Sequence, residues 1–197
     1  MRNSQKVVTS LVLLAGAQGA LAQITYPANG HTYQLTSMAS SWSVAEASAV
    51  ALGGHLVSIN DAAEQAFVQT NFTILAAAPR PLWIGLMRTG GPGNGLFANC
   101  SDGSAATYTN WNGGTGEPNN STANGQPLGE WVAALNWHLA QTGGPVGTWN
   151  DTPDIGTLGF GGTSDGPYFG IIEIVPAPTS GALLALGMLS ATRRRRA

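Results

Sequence analysis

The sequence predicts one loop-rich domain that mixes short strands with a few helices, and three observations carry that reading. Gly occurs 27 times and Pro 11 times in 197 residues, concentrated with Asn between short apolar runs, which disfavours a helical bundle and suits turns between strands. The 43% apolar fraction is sufficient for one ordinary core at this length. The order of patterns along the first third is strand, helix, strand, helix, with no internal repeat or interdomain linker after it.

Residues 31–35 alternate enough to form an edge strand. Ser43-Val44-Ala45-Glu46 has the form of a capping box and opens an alanine-rich helix to Leu52, which Gly53-Gly54 stops in a left-handed turn. Residues 55–59 read as a short buried strand. Asp61-Ala62-Ala63-Glu64 repeats the capping box and starts a second helix, with Ala63, Ala66 and Phe67 expected to face inward, fading near Asn71. Residues 82–86 are an apolar run with Gly85 inside it, the pattern of a buried strand that another backbone approaches closely. From Thr89 to Gln126 the chain turns polar, rich in Gly and Asn, with Tyr108 and Trp111 as isolated anchors. A strand over 131–135, a glycine-rich excursion through Gly143, Gly144 and Gly147, and a closing strand over 168–174 complete the domain. Loops this long are uncommon in a compact domain unless they are functional or pinned.

Both ends read as addresses. Arg2 and Lys6 precede an apolar run over 7–17, and Ala20-Leu21-Ala22 has the small-x-small form that signal peptidase accepts, so residues 1–22 are expected to be a signal peptide. The alternative is a buried first helix. At the other end Val175-Pro176-Ala177-Pro178 leads into an apolar stretch over 181–189 and then four arginines, Arg193 to Arg196. The stretch is short for a full membrane span, and the arginines would keep its tail on the cytoplasmic side. This arrangement resembles the PEP-CTERM sorting signal of Gram-negative bacteria, with Ala177 where the usual glutamate stands. The resemblance implies that residues 175–197 enter the inner membrane transiently and that an exosortase-like sorting enzyme removes them, releasing or reanchoring the protein outside the cell. A plain C-terminal anchor is the alternative.

Between these ends the charge is one-sided. Residues 23–174 hold two basic side chains, Arg80 and Arg88, against ten acidic ones, a net charge of −8 that the whole-chain value of −2 conceals. So few cations cannot neutralise phosphates, which excludes nucleic acid and anionic membrane as partners and favours cations. Cys100 is the only cysteine, so no internal disulfide restrains the loops. A free thiol, an intermolecular bridge and a bystander at a loop position all remain open for it. Asn71, Asn99, Asn119, Asn120 and Asn150 each begin an Asn-x-Ser/Thr sequon, and a glycan at Asn119 or Asn150 would block the site described next.

Calcium takes about six to eight oxygen ligands on a backbone that can wrap around it. Glu117-Pro118-Asn119 places a carboxylate and an amide two residues apart, Glu130 follows just before a strand, and Asn150-Asp151 follows Trp149 as a second amide and carboxylate pair. That makes three carboxylates and two amides. Zinc would prefer His and Cys, but His31, His55 and His138 are far apart in sequence. His55 reads as structural and His138 as an unassigned loop residue. Trp111 and Trp149 read as loop anchors on the core rather than sugar-stacking platforms. No Ser-His-Asp order, phosphate loop or histidine metal set suggests an enzyme.

The two helices, Trp83-Ile84-Gly85-Leu86, Glu117-Pro118-Asn119 and Trp149-Asn150-Asp151, in this order, resemble the C-type lectin-like domain over most of residues 33–174. The resemblance implies an α+β fold of two helices and two small antiparallel sheets carrying a long calcium-binding loop region, with Pro118 cis, as one domain over 23–174. It implies that Glu117, Asn119, Glu130, Asn150 and Asp151 ligate the principal calcium (Ca2+). Glu117, Asn119, Glu130 and Asn150 would also bind sugar. Two neighbouring hydroxyls would complete the calcium shell, each donating to a carboxylate and accepting from an amide. Glu-Pro-Asn accompanies mannose- and glucose-type sugars in that family, whereas Gln126-Pro127-Leu128 is no rival motif because leucine cannot ligate.

Several departures from the family are visible. Its disulfides are absent, the interval from Glu117 to Glu130 is long, and residues 136–148 form an expansion able to reshape or cover the site. Trp131 stands where many members carry an acidic residue for an accessory calcium, so Asn120 gives little support for a second ion. Two functions follow: an exported calcium-dependent lectin for a glycan or exopolysaccharide, or an adhesion or extracellular-matrix module of the same fold that binds protein.

Overall fold

The computed structural model describes residues 22–74, 80–122, 128–156 and 166–176. The expected signal peptide, the sorting segment beyond Pro176 and the Gln126-Pro127 pair lie outside the described residues. Among the described residues no helix is long and apolar enough to cross a membrane.

The elements run β1 (Ile24–Thr25), β2 (Thr32–Leu35), α1 (Trp42–Ala51), β3 (His55–Leu56), α2 (Ala62–Gln69), a π-helical turn (Thr70–Ile74), β4 (Leu82–Met87), β5 (Asn99–Cys100), β6 (Val132–Leu135), α3 (Trp137–Thr142), β7 (Trp149–Thr152) and β8 (Phe169–Ile174). Two antiparallel groups form. In one, β8 is flanked by β2 and β3, with β1 outside β2. In the other, β4 pairs with β5 and β6, and β6 with β7. A parallel pairing of Leu82 with Phe169 and Trp83 with Gly170 joins them. The expected α+β class of small antiparallel sheets with helices is therefore present, with a third helix added.

Strand periodicity explains how β4 serves both sides of this arrangement. Leu82, Ile84 and Leu86 enter a core cluster with Tyr33, Val57, Val68, Trp149 and Ile171. Trp83 enters a second cluster with Trp42, Leu56, Val132, Trp137 and Tyr168. Gly85 lies against the Leu56 carbonyl, and a Cβ there would collide with that backbone, which is the close approach its sequence context predicts.

The helices correct three expectations. The N-cap of α1 is Ser41, not Ser43, and its first turn is completed from far along the chain: the Asp154 carboxylate accepts from the Ser43 backbone N–H at 2.8 Å. Glu46, expected in a capping box, instead accepts from Leu56 N–H (2.8 Å) and Ser101 Oγ (2.9 Å) and pairs with His55 (2.7 Å). In α2, Asp61 does cap, accepting from Ala63 and Glu64 N–H, and Phe67 packs on Tyr26 and Tyr33 as expected, but the buried residues are Glu64, Gln65 and Val68, with Ala63 and Ala66 exposed. Polar residues take the inner face because they have buried partners. Tyr33 donates to Glu64 at 2.5 Å, and Trp149 Nε1 donates to Gln65 at 2.9 Å.

Gly85→Ala is expected to lower the unfolding free energy by roughly 1–3 kcal/mol, the usual cost of forcing atoms into a packed site. Urea unfolding monitored by tryptophan fluorescence measures it, and a neutral substitution would show that Leu56 can retreat.

Candidate metal-binding site

The polar loop is laid along β7 before its motif begins. Trp149 N–H donates to the Asn110 carbonyl (2.8 Å) and Asn112 N–H to the Trp149 carbonyl (3.0 Å), while the Trp111 and Trp149 rings meet edge to face at 5.8 Å. The Asn112 carbonyl then accepts from Thr115 N–H (3.1 Å) and Glu117 N–H (3.3 Å), closing a turn that delivers Glu117. The Glu117–Pro118 peptide is cis, as the family resemblance implies. Asn150 and Asp151 come from β7 itself, held in register opposite Ala134 and Ala133 of β6.

Asp151 is the point on which the pieces meet. Its Oδ1 accepts from Asn119 N–H at 2.9 Å and its Oδ2 from Asn120 N–H at 2.9 Å and from Arg88 Nη2 at 2.8 Å. Asn119 N–H also reaches Glu117 Oε2 at 3.2 Å, and Asn119 Nδ2 donates to Glu117 Oε1 at 2.9 Å. Glu130 is tied in through its neighbours: its N–H donates to Asn120 Oδ1 (3.0 Å) and its Oε2 accepts from Ser121 N–H (2.9 Å). The Asn150 side chain turns onto the Asp151 carbonyl. Glu117, Asn119 and Asp151 are thus in direct contact, and Glu130 is one residue removed. Glu117, Glu130, Asn150 and Asp151 are buried, whereas Asn119 is exposed.

Two of the three buried carboxyl groups are pushed well above the usual carboxylate range. Burial, then the hydrogen bond and charge of Asp151, raise Glu117 to about 8. Burial and the charge of Asp151 also raise Glu130 to about 8, opposed by Ser121 N–H and Arg88. Three further residues, His138, Thr115 and Arg88, join the site without any local sequence signal of that role. His138 is a buried residue of α3, not a loop residue, and its Nε2 lies 3.1 Å from both Glu117 Oε1 and Thr115 Oγ1. Burial lowers its pKa, and a hydrogen bond with Asn150 works the other way.

Among the described residues, no group of three or more His, Cys, Asp and Glu side chains is arranged so that it could hold a metal ion. The donor oxygens are bonded to one another and to nearby N–H groups. Their chemistry nonetheless fits a hard cation: the set comprises three carboxylates and two amides, only Asp151 pairs with a guanidinium, and two of the acids are raised so that a divalent ion could replace their protons.

A family model described as the lectin C-type domain matches residues 38–138, just over half of the chain. The chain belongs to the C-type lectin domain family. The matched stretch ends within α3, so Asn150 and Asp151 lie beyond it. This lectin domain is 42% identical over 86 residues to a snaclec salmorin chain of Gloydius brevicauda, covering 42% of this chain and 55% of that one. It is 33% identical over 131 residues to human C-type mannose receptor 2, covering 64% of this chain and 7% of that one. It therefore spans about half of one relative and a small part of the other. Among solved structures, the cow CD23 carbohydrate-recognition domain, crystallised in the presence of GlcNAc2Man3 oligosaccharide, superposes with a TM-score of 0.52 at 26% identity, covering 75% of this chain and 90% of that one.

A carboxyl group whose folded pKa lies above its unfolded value binds its proton more tightly when folded. Its contribution to stability is full below the unfolded value of 4.5 and is lost as pH rises toward 8. In chelator, the melting temperature of the lectin domain is therefore expected to fall from about pH 5 to about pH 8, and calcium to raise it most at the alkaline end. A chelated melting temperature that stays flat across that window would show that these acids hold no extra proton.

Proposed function

We propose that this lectin domain is an exported, calcium-dependent carbohydrate-binding protein. Glu117, Asn119, Glu130, Asn150 and Asp151 would hold the ion, and Glu117, Asn119, Glu130 and Asn150 would meet the sugar. The observation that carries this reading is the junction at Asn119, whose backbone N–H is shared by Glu117 and Asp151 while its side chain lies on Glu117. C-type lectin domains generally bind calcium and are typically binding proteins rather than enzymes. When bound, calcium would supply a positive centre for two sugar hydroxyl oxygens.

The chain's own residues supply the rest of the recognition. Asn119 Nδ2 and Glu117 Oε1 already form a donor and acceptor pair at 2.9 Å, the two functions a hydroxyl needs when it donates to a carboxylate and accepts from an amide. Asn119 is the exposed member, so the pair opens toward solvent through the residue that can exchange its partner. Glu-Pro-Asn supports mannose- or glucose-type specificity. In the same reading residues 1–22 direct export and residues 175–197 sort or anchor the protein. The bacterial setting rests on those two segments alone, since the relatives named above are animal proteins.

One observation favours the second reading, a protein-binding adhesion or matrix module. The α3 insertion brings His138 onto Glu117 Oε1, an oxygen that a sugar hydroxyl would use.

Calcium at a hundred times its dissociation constant is expected to add about 2.7 kcal/mol to the native state, read as a rise in melting temperature that chelator reverses. On a glycan array with and without chelator, retention that needs calcium and is competed by mannose supports the lectin. Calcium stabilisation without any glycan signal selects the module, and Asn119→Asp should abolish retention. Retention by that variant at the parent level would remove Asn119 from the sugar contact.

A further inference from the structure

Arg88 is one of only two basic residues between positions 23 and 174, and Arg80, the other, stacks on Phe169 at 4.6 Å. Arg88 leaves the end of β4 and buries its side chain, 10% exposed, against the fully buried Asp151. Every arm of the guanidinium is engaged. Nη2 donates to Asp151 Oδ2 at 2.8 Å, Nε to the Glu130 carbonyl at 2.8 Å and Nη1 to the Gly95 carbonyl at 3.0 Å. The plane of the group lies over the Phe97 ring at 4.5 Å, and Phe97 in turn packs against Trp111 at 4.8 Å.

These contacts fasten four separate stretches to one charge: the end of β4, the turn over residues 89–97, the approach to β6 at Glu130, and β7 at Asp151. The segment carrying Asn119 and Asn120 joins indirectly, because both of its backbone N–H groups bond the Asp151 oxygens. Asn120 adds a bond from Nδ2 to the Gly93 carbonyl at 3.3 Å. A planar guanidinium with donors in a fixed fork suits such a junction, whereas a neutral side chain would leave Asp151 buried without a countercharge.

We propose that Arg88 is a positioning residue that acts as a built-in cation: its guanidinium holds the binding loops in order before any ion or sugar arrives, in a region with no disulfide to do so. This goes beyond the calcium reading, since it requires the loops to be ordered in the metal-free protein. It assigns the loop region two kinds of positive charge, one covalent and permanent, the other exchangeable.

Hydrogen exchange of the full chain in chelator tests it. In the parent protein, the hydrogen-bonded backbone amides of Thr89, Asn94, Asn119, Asn120 and Ser121 are expected to be protected without metal. Arg88→Gln, which removes the charge and keeps only a shorter neutral amide, should speed their exchange roughly a hundredfold while β2, β4 and β8 remain protected. If Arg88→Gln unfolds throughout, Arg88→Ala with and without millimolar guanidinium, against sodium chloride of equal ionic strength, decides the question. Recovery of loop protection by guanidinium alone supports a charge that positions, and no recovery assigns Arg88 to packing and overturns the proposal. Loops unprotected in the chelated parent, or equally protected in Arg88→Gln, would also overturn it. Calcium binding is measured separately by titration calorimetry. Its absence would count against the lectin reading and leave Arg88 untouched.

Discussion

A fully buried carboxylate needs partners, and in this domain Asp151 finds three of them in two distant parts of the chain. Two backbone N–H groups arrive from Asn119 and Asn120, and a guanidinium arrives from Arg88. Each partner brings its segment with it. The position of the motif residue Asn119, the course of the turn before Phe97 and the entry into β6 all follow from satisfying one side chain of β7. Because β7 is in continuous register with β6, and β6 pairs with β4 on both sides of a register shift between Trp83 and Met87, the loop architecture is tied to the sheet.

The rest of the loop region is pinned by the same kind of interaction rather than by covalent links. Gln65 of α2 accepts from the Trp149 indole and donates to the Gly147 carbonyl at 3.0 Å, and Asn110 donates to that carbonyl at 2.8 Å. Asn136 accepts from Gly147 N–H and donates to Thr73. Buried amides that use both donor and acceptor ends can specify a single loop conformation, since any other would leave them unpaired. Cys100, buried in β5, contributes to the core and stitches nothing.

The legible part of the sequence was the part governed by local rules. Alternation revealed β2, short apolar runs revealed β4 and β8, Asp61 announced α2, and Gly85 marked a close approach. Glu117-Pro118-Asn119 and Trp149-Asn150-Asp151 stood out because both occur, in that order, around the expected strands. Tertiary contacts decided the rest. β7 is Trp, Asn, Asp and Thr, a poor strand by propensity that exists because β6 offers it a ladder. α3 begins at Asn136 in a left-handed conformation without a side-chain cap, so no start signal preceded it and His138 read as loop. The inner face of α2 was misjudged because apolar patterning does not anticipate a buried Glu64 held by Tyr33. Arg88 lies 63 residues from Asp151; only its isolation in an acidic domain could have drawn attention to it.

Charge also decides how the site can respond to an ion. Asp151 is engaged by Arg88 and two backbone N–H groups, while burial and then the nearby Asp151 carboxylate raise Glu117 and Glu130. Replacing the protons with a divalent cation would satisfy Glu117 and Glu130, and Asp151 would share that ion while already held in place by Arg88 and two backbone N–H groups. The loops can be ordered by one cation and remain responsive to another.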